Sequence, residues 1–226
     1  MNTLQETIRK KWLWIVVNIA AVIPLLLLLW NYWADNLSAD PIAYITAKTG
    51  QAAIILLGLS LACTPINTVF GFKPALTVRK SLGLYAFLYA SLHLLTFVGL
   101  DYGFSLKYIL DDALLEKRYI LVGLAAFLIL IPLAITSTKG WMKRLGRNWK
   151  RLHQLVYVAG ILVVLHYVWL IKLDLTWPLI YGAILSLLLL VRVPRVRKWI
   201  SSFSKKTPVA AKNPPVRKSK PISAQG

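Results

Sequence analysis

Apolar positions in this chain gather into six long runs separated by polar breaks. The runs cover residues 12–30, 50–66, 79–101, 119–135, about 151–171 and 177–193. Each holds roughly 17–22 residues, enough as a helix to cross ~30 Å of hydrocarbon. The pattern predicts an all-α membrane protein, a six-transmembrane-helix bundle. Pro24 falls inside the first run and predicts a kink there, whereas Pro178 falls in the first turn of the sixth, where proline is harmless. Gly71, Lys73 and Pro74 mark a turn-rich connection over residues 67–78, and residues 31–49 and 102–118 read as loops. The first run is longer than a signal-peptide core and no small-x-small site follows it, so it is expected to stay as an anchor.

Composition agrees, with 58% hydrophobic residues in 226. The single cysteine, Cys63, excludes an internal disulfide and any cysteine-based zinc or iron–sulfur site. Net charge is +19, a value that raises nucleic-acid binding. Its distribution points elsewhere, because the basic residues lie between the apolar runs and in the tail. The N-terminus, the second and fourth connections and the tail hold 22 of them, against 5 in the other loops, which carry seven of the eight acids. Positive charge is retained on the cytoplasmic side, so both termini are expected in the cytoplasm. Residues 139–151 alone carry six basic residues and no acid. Trp12, Trp30, Trp33, Trp149, Trp169 and Trp177 near run ends fit an interfacial belt. The expected organisation is a cytoplasmic N-terminus over residues 1–11, a transmembrane domain over 12–193, and a basic, disordered cytoplasmic tail over 194–226. That tail would be drawn to anionic membrane lipid, with no nucleic acid as partner.

The chemistry is carried by histidine. The chain has three, His93, His153 and His166, and all fall inside apolar runs. A single histidine in such a helix is more often a hydrogen-bonding residue between helices than a metal ligand. Three of three, in two helices, ask for a further reason. Both helices begin at their basic ends, so they run in the same direction. His93 lies 13 residues beyond Lys80 and His166 lies 15 beyond Arg151, or ~20 and ~22 Å along the axis. They are therefore expected at one level, towards the outer face, where two neutral imidazoles can hold haem iron between them. His153 lies thirteen residues before His166, ~20 Å deeper, at an inner level. An ideal helix leaves those two side chains some 140° apart, so a shared face needs overwinding or a bulge. No second histidine exists at the inner level. Arg79, fourteen residues before His93, stands where one would be expected, but a guanidinium has no lone pair for iron and suits a haem propionate better. Ala86 and Tyr89 share the face of His93, and Gly160 shares that of His153. Each reads equally as helix packing or as haem clearance and hydrogen bonding.

Three stretches carry a resemblance: Arg79 to Phe97 (RKSLGLYAFLYASLHLLTF), Lys117 to Thr138 (KRYILVGLAAFLILIPLAITST) and Lys143 to Lys172 (KRLGRNWKRLHQLVYVAGILVVLHYVWLIK). Over roughly residues 11–193 the chain resembles the MsrQ family. These are haem-binding membrane subunits of the bacterial MsrPQ methionine-sulfoxide repair system, within the ferric-reductase-like transmembrane superfamily. The resemblance implies b-type haem (haem b) on His93 and His166, with His153 as a further haem histidine and a second haem left open. Two-haem relatives carry another histidine where this chain has Arg79. It also implies FMN, electrons from the quinone pool or a cytosolic flavin reductase, the bacterial inner membrane, and delivery to the periplasmic molybdoenzyme MsrP. About 33 residues follow the last run, without a glycine-rich dinucleotide fingerprint. The chain is thus expected to relay electrons for an oxidoreductase complex, with the sulfoxide chemistry on its partner. A stand-alone ferric reductase, a quinone-linked cytochrome and a haem-free transporter are the alternatives.

Overall fold

In hydrocarbon, backbone N–H and C=O groups find no water, and a helix satisfies them within its own segment. The computed structural model meets that demand with helix along the described residues, which are 2–171, 174–193 and 195–196, and with no strand among them. The elements are α1 (Asn2–Trp33), α2 (Pro41–Phe70), α3 (Pro74–Leu95), α4 (Leu106–Asp111), α5 (Tyr119–Ile135), α6 (Lys139–Leu145), α7 (Arg147–His153), α8 (Leu155–Leu170) and α9 (Thr176–Leu190). Two π-helical segments, Thr96–Asp101 and Asp112–Glu116, lie in the connection between α3 and α5.

Among the described residues four helical segments are long and apolar enough to cross a membrane: Lys11–Trp33, Pro41–Phe70, Pro74–Asp101 and Arg147–Leu170. The fourth run of the sequence coincides with α5, which bends by 96° into α6, and the pair counts as a fifth span if taken as one. The sixth run forms α9, shorter than expected at 15 residues. Expected loops are also shorter than the polar residues imply. Asp40 accepts from the Ala43 N–H at 3.0 Å and starts α2 with Pro41 in its first turn, so much of residues 31–49 is helix. Likewise α2 runs on to Phe70, and Gly71, at φ 67°, takes the left-handed position that closes it before Pro74 opens α3. Most of the expected tail, and Lys172 and Leu173 of the last loop, lie outside the described residues.

Packing runs in two pairs, α2 along α3 and α5 along α8, with α3 touching α5 between them. Small side chains allow the approach: Ala86 and Ala159, each seven residues before a histidine, are 1% and 0% exposed. A Cβ on Gly160 would meet Leu185 at 3.3 Å and Leu61 at 3.6 Å, so that glycine serves helix packing. Outward-facing apolar side chains, such as Leu26, Trp30 and Leu187, are left for lipid.

Pro24 opens the α1 hydrogen-bond ladder, and Tyr89 of α3 fills the gap. Its hydroxyl donates to the Ala21 carbonyl at 2.8 Å and accepts from the Leu25 N–H at 3.0 Å. Those are the two groups that would otherwise bond each other across one turn. Tyr89 is buried, and its hydroxyl is used in full by α1 rather than at the histidine site. At the other end of the bundle Arg192 bonds the Tyr157 hydroxyl and the Leu61 carbonyl, fastening the end of α9 to α8 and α2.

Candidate functional site

His93 on α3 and His166 on α8 meet across the bundle, their ring centroids 6.3 Å apart and their planes at 83°. Each ring is pinned by one nitrogen to a neighbouring helix. His93 Nδ1 lies 2.8 Å from the Thr46 carbonyl of α2, and His166 Nδ1 lies 2.7 Å from the Tyr119 carbonyl of α5. A carbonyl oxygen only accepts, so Nδ1 carries the hydrogen in both rings. In the neutral imidazole this leaves the Nε2 lone pair unused.

Each ring also lies against a glycine one turn from the carbonyl that holds it. A Cβ on Gly50 would meet His93 Nδ1 at 3.0 Å, and one on Gly123 would meet His166 Nδ1 at 2.7 Å. The two half-sites share one spacing: adding 73 to the residue number carries Thr46 to Tyr119, Gly50 to Gly123, Ala86 to Ala159 and His93 to His166. Around His93 a hydroxyl chain completes the brace. Thr96 Oγ1 donates to the His93 carbonyl at 2.9 Å, and Thr46 Oγ1 donates to Thr96 Oγ1 at 3.2 Å. Around His166 the Tyr119 ring supplies an edge contact at 5.8 Å between centroids.

The pair fits a metal held from two sides. A ligating nitrogen stands ~2.0 Å from its metal, with the ring centre roughly 1.1 Å behind it, so opposed imidazoles on one metal have centres ~6 Å apart. Among the described residues no three His, Cys, Asp or Glu side chains converge on a metal site. Two imidazoles are what the protein offers here, and the remaining ligands would belong to the group they hold.

His153 is presented differently. Thr136 Oγ1 gives its hydrogen to the Pro132 carbonyl at 2.6 Å, so in its 3.1 Å contact with His153 Nε2 the imidazole is the donor. The ring stacks on Trp149 at 4.1 Å, and Trp149 Nε1 donates to the Thr136 carbonyl at 2.9 Å. The nitrogen that is free in His93 and His166 is therefore occupied here by Thr136. Arg79 donates to Thr64 Oγ1 at 3.2 Å and lies within electrostatic reach of His153. The helix is interrupted at Gln154, between the two histidines of this span. Phe87 and Phe127 stack at 5.6 Å and tie α3 to α5 between the two levels.

Thr46, Tyr119, Gly50 and Gly123 were not legible from residue type alone. The signal that finds them is the repeated interval, 47 residues from carbonyl to histidine in both half-sites.

The model of the ferric reductase like transmembrane component matches residues 49–164. The chain is 44% identical over 207 residues to the protein-methionine-sulfoxide reductase heme-binding subunit MsrQ of Xanthomonas axonopodis pv. citri, covering 88% of this chain and 92% of that one. The chain belongs to the MsrQ family. MsrQ of Xanthomonas campestris pv. campestris (strain 8004) is 46% identical over 184 residues, 78% of this chain and 84% of its own. MsrQ of Rhodospirillum rubrum is 45% identical over 186 residues, 81% and 89% of the two chains. The MsrQ match thus extends well past both ends of the ferric-reductase-like core, and the core holds His93 and His153 but stops two residues before His166.

Proposed function

We propose that this chain is the haem-binding membrane subunit of a methionine-sulfoxide repair system, with b-type haem held between His93 and His166. The observation that carries the reading is the outer pair itself: two rings at 6.3 Å, each fixed by Nδ1 with Nε2 left free. Bound haem supplies a one-electron couple. The protein's own part is to fix both rings in one tautomer and to hold them between helices. Arg79 and His153 belong to the second level, where Arg79 would pair with the propionate of a second haem and His153 would ligate it after release from Thr136.

Six crossings with both termini in the cytoplasm are supported by the 22-to-5 division of basic residues between alternate connections. In this reading α5 is the fourth span, α6 belongs to the basic connection that follows it, and α9 with residues 191–193 is the sixth. The outer pair then faces the periplasm of a bacterial inner membrane. Electrons enter from the cytoplasmic side, from the quinone pool or a flavin reductase with FMN, and leave to MsrP. Sulfoxide reduction consumes two electrons and two protons and releases water, so the relay delivers two single electrons for each methionine restored.

The test is a reduced-minus-oxidised spectrum of purified protein, wild type and the His93→Ala, His153→Ala and His166→Ala variants. A b-type spectrum lost in the first and third variants supports the proposal. A wild type without haem, or either outer variant with an unchanged spectrum, overturns it. Intact sulfoxide repair after gene deletion would leave the haem site standing and move the chain to ferric reduction or quinone oxidation.

A further inference from the structure

We infer that Gly50 and Gly123 are positioning residues that hold the two histidines in their ligating orientation, and that the Gly123 half is the stricter of the two. The inference rests on the proposed haem reading but concerns this chain's own residues.

Each histidine is fixed by two independent contacts from one helix. The carbonyl sets which nitrogen bears hydrogen, and the glycine lets the ring lie flat enough on the helix to reach that carbonyl. On α2 these are Thr46 and Gly50, and on α5 they are Tyr119 and Gly123, four residues apart in both cases. The carbonyl alone does not suffice. A Cβ at Gly123 would lie 2.7 Å from His166 Nδ1 and 2.8 Å from Cε1, separations that require the ring or the helix to shift. A Cβ at Gly50 would lie 3.0 and 3.1 Å from the same atoms of His93, which requires a displacement of a few tenths of an ångström. In both cases the methyl group presses on the nitrogen that donates to the carbonyl. Displacement therefore lengthens that hydrogen bond and re-aims Nε2 in one movement. Supporting groups of this kind set ligand orientation and basicity at metal sites, and losing one costs on the order of 10–100-fold in affinity.

Gly58 supplies the internal control. It lies on α2 two turns beyond Gly50, and a Cβ there meets nothing within 4 Å. An effect of alanine on helix stability alone would appear at Gly58 as well.

The experiment compares Gly50→Ala, Gly58→Ala and Gly123→Ala in the full chain, purified in detergent. It measures haem-to-protein ratio, the low-spin electron paramagnetic resonance signal, midpoint potential and helix content by circular dichroism. Gly58→Ala should match wild type. Gly50→Ala should keep haem but shift the low-spin signal and the potential. Gly123→Ala should keep its helix content and lose haem on the order of tenfold or more at limiting supply. If Gly123→Ala does not fold, Gly50→Ala decides, because a folded variant with wild-type signal and potential overturns the inference. Effects equal to those of Gly58→Ala overturn it too. A wild type without haem would fail the underlying reading instead, and the two failures are distinguishable by that one sample.

Discussion

The two histidines of the Arg147–Leu170 span are thirteen residues apart and are held in opposite ways. His166 gives its Nδ1 hydrogen to a backbone carbonyl and keeps Nε2 free, as His93 does opposite it. His153 gives its Nε2 hydrogen to Thr136 and lies flat on Trp149. The same residue type in the same helical span keeps Nε2 free at one level and commits it to a neighbour at the other. What separates them is the neighbour. A carbonyl one turn from a glycine pins a ring and leaves its far nitrogen open, whereas a hydroxyl already donating elsewhere claims that nitrogen.

The largest effect that would break this comparison comes from the histidines. His93→Ala and His166→Ala should each weaken haem binding by more than the ~10–100-fold that losing a supporting group costs. His153→Ala should keep the outer spectrum, as read by haem titration of the three variants. Equal losses at all three positions would erase the distinction between levels.

A stability measurement sharpens it on the α3 side. Tyr89 lies one turn before His93, yet its hydroxyl serves the opened ladder of α1. Tyr89→Phe leaves the Ala21 carbonyl and the Leu25 N–H without that bridge and should cost roughly 2–3 kcal/mol. Thermal unfolding should show the loss while the haem spectrum stays as in wild type. A shifted spectrum would return Tyr89 to the site.

At the inner level, Thr136→Val removes the acceptor of His153 Nε2 and should cost about 1 kcal/mol. The outer spectrum should not move. A new haem signal in this variant would show that Thr136 is what withholds His153.

The smallest effect belongs to the outer loop that joins the two half-sites. Lys117 Nζ and the Tyr102 hydroxyl both bond Asp112 Oδ2 at 2.6 Å. Lys117, and after it Tyr102, hold the Asp112 carboxyl below its ordinary range, and Asp112 in turn raises Lys117. A depressed carboxyl stabilises the fold above its ordinary pKa of ~3.9, and that contribution is lost as pH falls through the lowered value. The raised ammonium contributes fully below its ordinary ~10.4 and is lost as pH rises through its raised value. Protection of residues 102–118, taken as hydrogen exchange relative to the rate of an unstructured chain at the same pH, should therefore fall only in strong acid or strong base. Asp112→Asn should be poorly protected at every pH, and wild-type protection that does not change with pH would remove this fastening from the account.

Much of the architecture was legible in the residues. The fourth apolar run matches α5 residue for residue, because a buried span must be apolar throughout and its ends are marked by Arg118 and by Thr136 to Lys139. Equal depth for His93 and His166 followed from counting residues after each basic helix start, since rise per residue is fixed. The connections were less legible. Residues 41–49 read as loop but form helix, because Asp40 and Pro41 start α2 early.

The sequence by itself determined that this is an all-helical membrane protein of the MsrQ family, with its ionisable rings in two of its spans. Hydrophobic length, charge placement and residue spacing are one-dimensional properties, and they suffice for that. Only the tertiary structure decided which imidazole nitrogen each neighbour takes. That choice depends on a carbonyl at 2.7 or 2.8 Å, a glycine without a Cβ and a threonine with one hydrogen to give, supplied by helices whose contacts the order of residues does not state.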